Sequence, residues 1–407
     1  MSVDVDTRPA TAVPVRLQPG LAADLRAFGA RDFAACFSCG TCTATCPLVD
    51  DDATFPRRLL RYGLLGLRED LLGSKELWTC YHCGLCTESC PQGADPAGFM
   101  AAARRYAIAG YDVTGLAGAL YRRPRRAVAL AVLVALVLGG AMLGVARTAP
   151  SRQVALFRFV PESTVHWTGV AAMVLVAAVM VVGVVSMVRG LARREGVTWK
   201  TLTAAPGRSL AWSAAWSAVV SESLAFRRYR DDCAEEESAR APWWRRRWLV
   251  HGLTMWGFTG LLVATMADYG LSLVGLRATG TPEPVWYPVR LLGTLAGLAF
   301  LYGVSVLALN RLRRVERSVK TSEVADWLFL AVLWLVGLTG LVTELSLYVP
   351  GGATFGYGVF IAHVALALDL LVLLPFGKFA HVVYRPVALF FHALARARSV
   401  SGERTYD

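Results

Sequence analysis

Eight of the nine cysteines fall into two runs with one grammar: CFSCGTCTATC at 36–46 and CYHCGLCTESC at 80–90, each followed by a proline, Pro47 and Pro91. Thiolates clustered in this way bind zinc or iron–sulfur clusters. A structural zinc site takes two separated CxxC pairs, or two cysteines and two histidines. Here three cysteines crowd onto one tight loop and the fourth stands four residues further on, before proline. That is the run that wraps a [4Fe–4S] cube, with the fourth cysteine directed to the neighbouring cluster. The spacing therefore predicts one site from Cys36, Cys39, Cys42 and Cys90, and a second from Cys80, Cys83, Cys86 and Cys46. Gly40 and Gly84 allow the backbone to approach the sulfides. His82, between two of the ligands, reads as a surface side chain or as a tuner of cluster potential. Cys233, in the charged stretch RYRDDCAEEES, reads as a free thiol, since acidic neighbours raise its pKa.

The second group of residues with chemistry is histidine. Of six histidines, His166, His251, His363 and His381 fall on or at the ends of apolar helical stretches. Intramembrane histidines are costly and read as functional. Haem b in a helix bundle needs two imidazoles from facing helices at one depth. His251 lies four residues after Arg247 and His381 four residues before Arg385, so the two match in depth. His363 lies 18 residues before His381, which is ~27 Å along a straight helix. That distance leaves His166 as its histidine partner for a second haem, or leaves either residue to hydrogen-bond a quinone. Asp369 and Glu344 lie within apolar runs and read as paired polar groups or as proton handlers for a quinone.

These residues must be held by two kinds of structure. The 407 residues are 55% hydrophobic with positive mean hydropathy, unlike a soluble domain. Residues 1–125 mix polar and apolar types. Leu59, Leu60, Leu64, Leu67 and Leu71 follow helical spacing, and 96–108 also reads as helix. Beyond them come six apolar stretches of membrane length, near 127–146, 166–189, 248–268, 288–309, 325–348 and 357–383. Short alternating segments, which an outer-membrane barrel requires, are absent. The expected fold is all-α: a cytoplasmic two-cluster ferredoxin-like domain (1–125), two transmembrane helices (126–190), a connecting loop with an amphipathic segment around Trp212 and Trp216 (191–247), four transmembrane helices of a haem b bundle (248–385) and a cytoplasmic tail (386–407).

Arginine clusters at 122–126, 189–194, 245–247 and 311–317 place both termini in the cytoplasm by the positive-inside rule, and the N-terminus lacks an apolar signal segment. The cysteines would then meet a reducing compartment, which argues against a disulfide framework. The net charge of +12 is accounted for by topology and by attraction to anionic lipid, without a nucleic-acid partner.

CFSCGTCTATCP and LLGSKELWTCYHCGLCTESCPQGADP resemble the C-type iron–sulfur subunit of heterodisulfide reductase. The membrane half, with a histidine opening one helix and a pair 18 apart near the end, resembles the gamma subunit of respiratory nitrate reductase. Their fusion resembles the membrane subunit of the quinone-interacting membrane-bound oxidoreductase complex. The resemblance implies haem b, menaquinone as exchangeable substrate, and partners akin to the A-type flavoprotein subunit of heterodisulfide reductase. Leu261 stands where the nitrate reductase pattern has a further histidine, so one haem is expected and two are possible. There is no CCG cysteine pair and no Gly-rich nucleotide fingerprint, and no residue is assigned a catalytic role. The expected function is electron transfer between quinone, haem b, two clusters and a cytoplasmic partner. The competing class is a membrane anchor and docking module without its own quinone site.

Overall fold

A computed structural model describes residues 15–49, 54–148, 154–203, 205–227, 230, 242–277, 283–314, 322–349 and 352–400. Among these residues the ordered elements are all helical. Cys233 lies outside the described residues.

Six helices are long and apolar enough to cross a membrane: Pro124–Gly144, Glu162–Arg194, Arg247–Leu273, Pro288–Leu312, Val324–Ser346 and Ala353–Val372, here spans one to six. Their outward faces are apolar, as lipid requires, with Leu136, Val174 and Met266 all well exposed. Spans three and four make the closest pair, because glycine lets their backbones meet. A Cβ on Gly257 would stand 2.6 Å from the backbone nitrogen of Phe300. On Gly303 it would stand 2.9 Å from the carbonyl of Val250. Small residues at such crossings are how helices associate in lipid, where no hydrophobic force drives them together.

The described residues from 15 to 122 fold as short helices around a core of Leu21, Leu25, Phe33, Leu59, Leu60, Leu77, Trp78 and Phe99. The leucine-rich segment between the cysteine runs forms two helices, Arg57–Leu65 and Arg68–Leu72, broken at Gly66 with φ +76°. Pro96–Tyr111 is the long helix of the domain; Asp95 caps it by accepting from the Gly98 amide at 2.9 Å.

The expected last helix, 357–383, is not continuous. Span six ends at Val372, and two 3-10 turns, Leu374–Phe376 and Lys378–Ala380, follow. Pro375 has no amide hydrogen to continue the ladder. Gly377 is extended (φ −117°, ψ −174°), which turns the chain. A new helix, His381–Val400, then runs back onto the cluster domain. So His363 and His381 do not share one helix face, and residues 386–400 are a packed helix rather than a tail. Tyr384, Ala388, Phe391 and Leu394 of this return helix belong to the same core as Leu21 and Trp78. The connector helix Ala205–Trp216 and the π-helical turn Ser217–Leu224 pack on the return helix, while Trp212 and Trp216 remain exposed.

Ion pairs fasten the domain to one end of the bundle. Arg194, at the end of span two, donates to Asp70 at 3.2 Å and to the Tyr62 hydroxyl at 2.7 Å. Lys75 pairs with Glu195. Arg31 meets Glu323 at 3.2 Å, and Asp326, in the first turn of span five, takes Lys378 at 2.7 Å and Arg105 at 3.7 Å.

Candidate metal centres and histidine pair

Each cysteine run folds the same way. Ser38 and His82 both have φ +57°, and Gly40 (+94°) and Gly84 (+88°) follow in the left-handed region. That region favours glycine, because a Cβ would strain it. One-turn helices Thr41–Ala44 and Leu85–Glu88 then swing the fourth cysteine of each run away from its first three. The backbone amides of Ser38 and His82 donate to Sγ of Cys36 and Cys80 at 3.4 and 3.3 Å. The two copies meet at Thr45 and Ser89, whose hydroxyls lie 3.0 Å apart.

The cysteines consequently surround two cavities. Cys46, Cys80, Cys83 and Cys86 line one, with Leu48, Tyr81, Ala97 and Met100. Cys36, Cys39, Cys42 and Cys90 line the other, with Phe37, Arg57 and Pro91. The fourth cysteine of each run thus stands with the first three of the other run. Among the described residues no three such ligands converge on the position of a single ion; the thiols stand around voids.

Burial pushes the Cys46 thiol up to about 12, against a backbone hydrogen bond at Leu48, and nearby Cys80 and Cys83 add to the rise. Burial also raises Cys42, with Cys36, Cys39 and Cys90 contributing, and raises Cys86. Crowded, buried thiols ionise only beside compensating cations, which iron supplies. Cys39 is the exception: it is exposed, and the Thr41 hydroxyl lowers its pKa. His82 is half-buried; burial first, then Arg104 and Lys378, pushes its pKa down to about 3.

The two sites differ in what lies around them. Arg104 donates to the carbonyls of Leu77 (2.7 Å) and Cys80 (2.5 Å). Arg385, from the return helix, reaches the Cys80 carbonyl at 3.5 Å and lies 5.7 Å from the Tyr81 ring centroid. Trp78 and Tyr384 pack at 5.5 Å between ring centroids, and Tyr111 and Tyr384 at 5.2 Å. By contrast, Phe37 in the other run is 76% exposed.

His381 opens the return helix, and its Nδ1 lies 2.6 Å from the Lys378 carbonyl. As a donor there, Nδ1 leaves Nε2 as the ligating nitrogen. Burial pushes His381 down to about 3, opposed by that carbonyl; His251, Lys378 and Arg385 each lower it further. His251 and His381 therefore lie within electrostatic reach of one another. Phe226 stands edge-on to His251 at 5.5 Å. His166 and His363 have separate partners. His166 stacks on Tyr269 at 4.9 Å, with Nε2 3.3 Å from the hydroxyl. His363 Nδ1 lies 3.2 Å from both the Thr339 hydroxyl and the Val336 carbonyl. Glu344 is paired, meeting Arg290 at 3.1 Å and the Thr294 hydroxyl at 2.5 Å. Asp369 is 1% exposed.

Sequence reasoning missed Arg104, Asp326 and Lys378, and used Arg385 only as a marker of depth. Lys378, a cation within an otherwise apolar stretch, was a signal that a carboxylate must lie opposite.

Residues 32–94 match the model of a 4Fe-4S dicluster domain. Residues 119–402 match the model of citrate utilization protein B, more than half the chain. The chain belongs to the citrate utilization protein B family. A family relative from Escherichia coli, also named citrate utilization protein B, is 31% identical over 157 residues. That stretch is 38% of this chain and 39% of the relative, so the alignment spans about two fifths of the relative's length. No solved structure matches. The chain is thus an iron–sulfur electron-transfer protein with a multi-pass membrane half.

Proposed function

We propose that the chain carries electrons between a membrane quinone, haem b and its two [4Fe–4S] clusters, and exchanges them with a flavoprotein partner on the cluster side of the membrane. The observation that carries this reading is that His251 and His381 come from different helices and lie within electrostatic reach of one another, close to where the return helix meets the Cys80 segment. The residues fit a haem. His381 is oriented through Nδ1, and His251 comes from a different helix. Arg247, Arg385 and Lys378 act electrostatically on His251; such cations suit the haem carboxylates. His251 and His381 would be the axial ligands, and the group would supply one-electron chemistry. The chain's own part is to orient His381 through the Lys378 carbonyl and to hold cations around the pair. His166 and His363 remain the candidates for a second haem or a quinone contact, with Asp369 as a proton carrier.

The resemblance to heterodisulfide reductase, to nitrate reductase and to the quinone-interacting complex supports menaquinone and a flavoprotein partner of the heterodisulfide reductase type. The name of the Escherichia coli relative, citrate utilization protein B, favours a second reading in which the electron transfer serves the utilization of citrate. The arginine pattern favours the cytoplasmic membrane with both termini inside.

Absorption spectra of the purified full chain, oxidised and reduced, test the haem. We expect a low-spin haem b α-band, lost in His251→Ala and in His381→Ala. A menaquinol analogue should reduce it in native membranes. A chain with full iron–sulfur content and no haem band would leave the anchor reading standing. A heterodisulfide reductase-like flavoprotein is then compared, as reductant of the clusters, with extracts of citrate-grown cells.

A further inference from the structure

We propose that Arg385, with Arg104, sets the redox poise of the Cys46–Cys80–Cys83–Cys86 site and makes it the higher-potential, membrane-facing site of the two. The inference rests on the cluster assignment and extends the proposed electron path.

The argument begins with placement. Cys80 follows the one-turn helix Glu76–Thr79, and the return helix packs directly against that helix. Two guanidinium groups from different parts of the chain converge on the Cys80 carbonyl, Arg104 at 2.5 Å and Arg385 at 3.5 Å. Arg104 is also fixed by the Leu77 carbonyl, and Arg385 sits over Tyr81, so neither charge is free to swing away. In the other site Arg57 donates to the Ser38 carbonyl at 3.2 Å, the exposed Cys39 faces water, and Phe37 projects outward. Water screens charge there.

Reducing a [4Fe–4S] cluster by one electron adds one negative charge to its site. A fixed cation stabilises the reduced form, and more so away from water. Cluster potentials respond to net charge, hydrogen bonds and exposure. Two held guanidiniums in a half-buried setting, against one beside an exposed thiol, put the Cys80 site at the higher potential. Arg385 has a second neighbour. It stands one helical turn from His381 on the same face of the return helix, so its charge lies between the cluster site and the histidine pair. The exposed Phe37–Cys39 loop is left for the soluble partner.

The test is an EPR-monitored redox titration of the full-length protein in nanodiscs, with dithionite as reductant. Signals are assigned by Cys83→Ser and Cys39→Ser, one ligand from each site. Arg385→Gln should lower the potential of the signal altered by Cys83→Ser. The expected change is about tenfold in its reduced-to-oxidised ratio at fixed ambient potential, or ~59 mV for one electron. The signal altered by Cys39→Ser should stay in place, and Arg385→Lys should restore most of the shift. Arg385→Met, which keeps an apolar stem but no charge, should shift the signal as Arg385→Gln does, whereas an effect of packing alone would leave it in place. No shift in Arg385→Gln with both clusters intact, or an equal shift in both signals, overturns the proposal. If Arg385→Gln loses iron, Arg104→Gln, which removes the other held charge and leaves Arg385 in place, is used instead and should shift the same signal alone. The cluster signals are read whether or not haem is present, so failure here and failure of the haem assignment are separate results.

Discussion

Asp326 is the residue on which the junction between cluster domain and bundle depends, and its removal is the sharpest test of that junction. It is 7% exposed and answers two cations from distant parts of the chain, Lys378 beyond span six and Arg105 of the cluster domain. It also closes the capping box of span five by accepting from the Glu323 amide at 3.2 Å. Asp326→Ala leaves Lys378 and Arg105 near one another without the anion between them. Breaking a buried pair by removing one partner costs about 3–5 kcal/mol, less here because the Lys378 side chain is 43% exposed and regains water, and losing a cap adds about 1 kcal/mol. Arg105 keeps the Phe28 carbonyl at 2.8 Å, which offsets a part. The expected net loss is about 2–3 kcal/mol. Removing anion and cation together, as Asp326→Leu with Lys378→Met, should recover a part of it, because the half-exposed Lys378 charge is only partly resolvated in the single variant. The assay is denaturant unfolding of the full chain in detergent micelles. It is followed by the iron–sulfur absorption band and by hydrogen exchange of residues 96–111. A loss under about 1 kcal/mol in Asp326→Ala, or a double variant no better than the single one, would refute the reasoning.

Three further outcomes follow from the geometry. Cys46→Ser should damage the cluster held by Cys80, Cys83 and Cys86, and Cys90→Ser the one held by Cys36, Cys39 and Cys42; EPR of the two variants reads which signal changes. Burial first, then the Asp112 carboxylate, raises the Tyr384 hydroxyl from 10.0 to about 12. Its folded pKa lies above its unfolded one, so the contribution is whole below pH 10 and is lost as pH rises through 12. Tyr384→Phe should therefore flatten the alkaline fall in stability over that window, seen by unfolding at stepped pH. Gly257→Val would set its Cβ against the backbone of span four, 2.6 Å from the Phe300 nitrogen. Spans three and four should then cross-link less efficiently through engineered cysteine pairs while the cluster content stays unchanged.

What could be read without coordinates was whatever is local. The cysteine spacing implied that the fourth thiol of each run serves the other, because the one-turn helix after Gly40 and Gly84 fixes its direction. Five spans were legible in uninterrupted hydropathy to within about five residues at each end. The sixth was extended too far. LLVLLPFGKFAHVV stays apolar on average, and only the joint effect of Pro375 and an extended Gly377 ends the helix. The Asp326–Lys378 pair joins residues 52 apart, and Arg385 meets Cys80 across 305. Neither leaves a periodic trace. The tyrosine beneath His166 was hidden for the same reason, since Tyr269 is 103 residues away.

The return helix also bears on how the molecule is made. The cluster domain leaves the ribosome first, yet Tyr384, Phe391 and Leu394 complete its core. Until the last span is in place, Trp78 lacks the Tyr384 ring that covers it, and the Cys80 loop lacks the guanidinium of Arg385. An early-folded domain therefore waits, open on one side, through the synthesis of about 270 further residues. Iron can be delivered during that wait. The helix that closes the site arrives only on a chain whose membrane half has been made in full, so a nascent chain that stalls part-way is left with its redox domain unsealed.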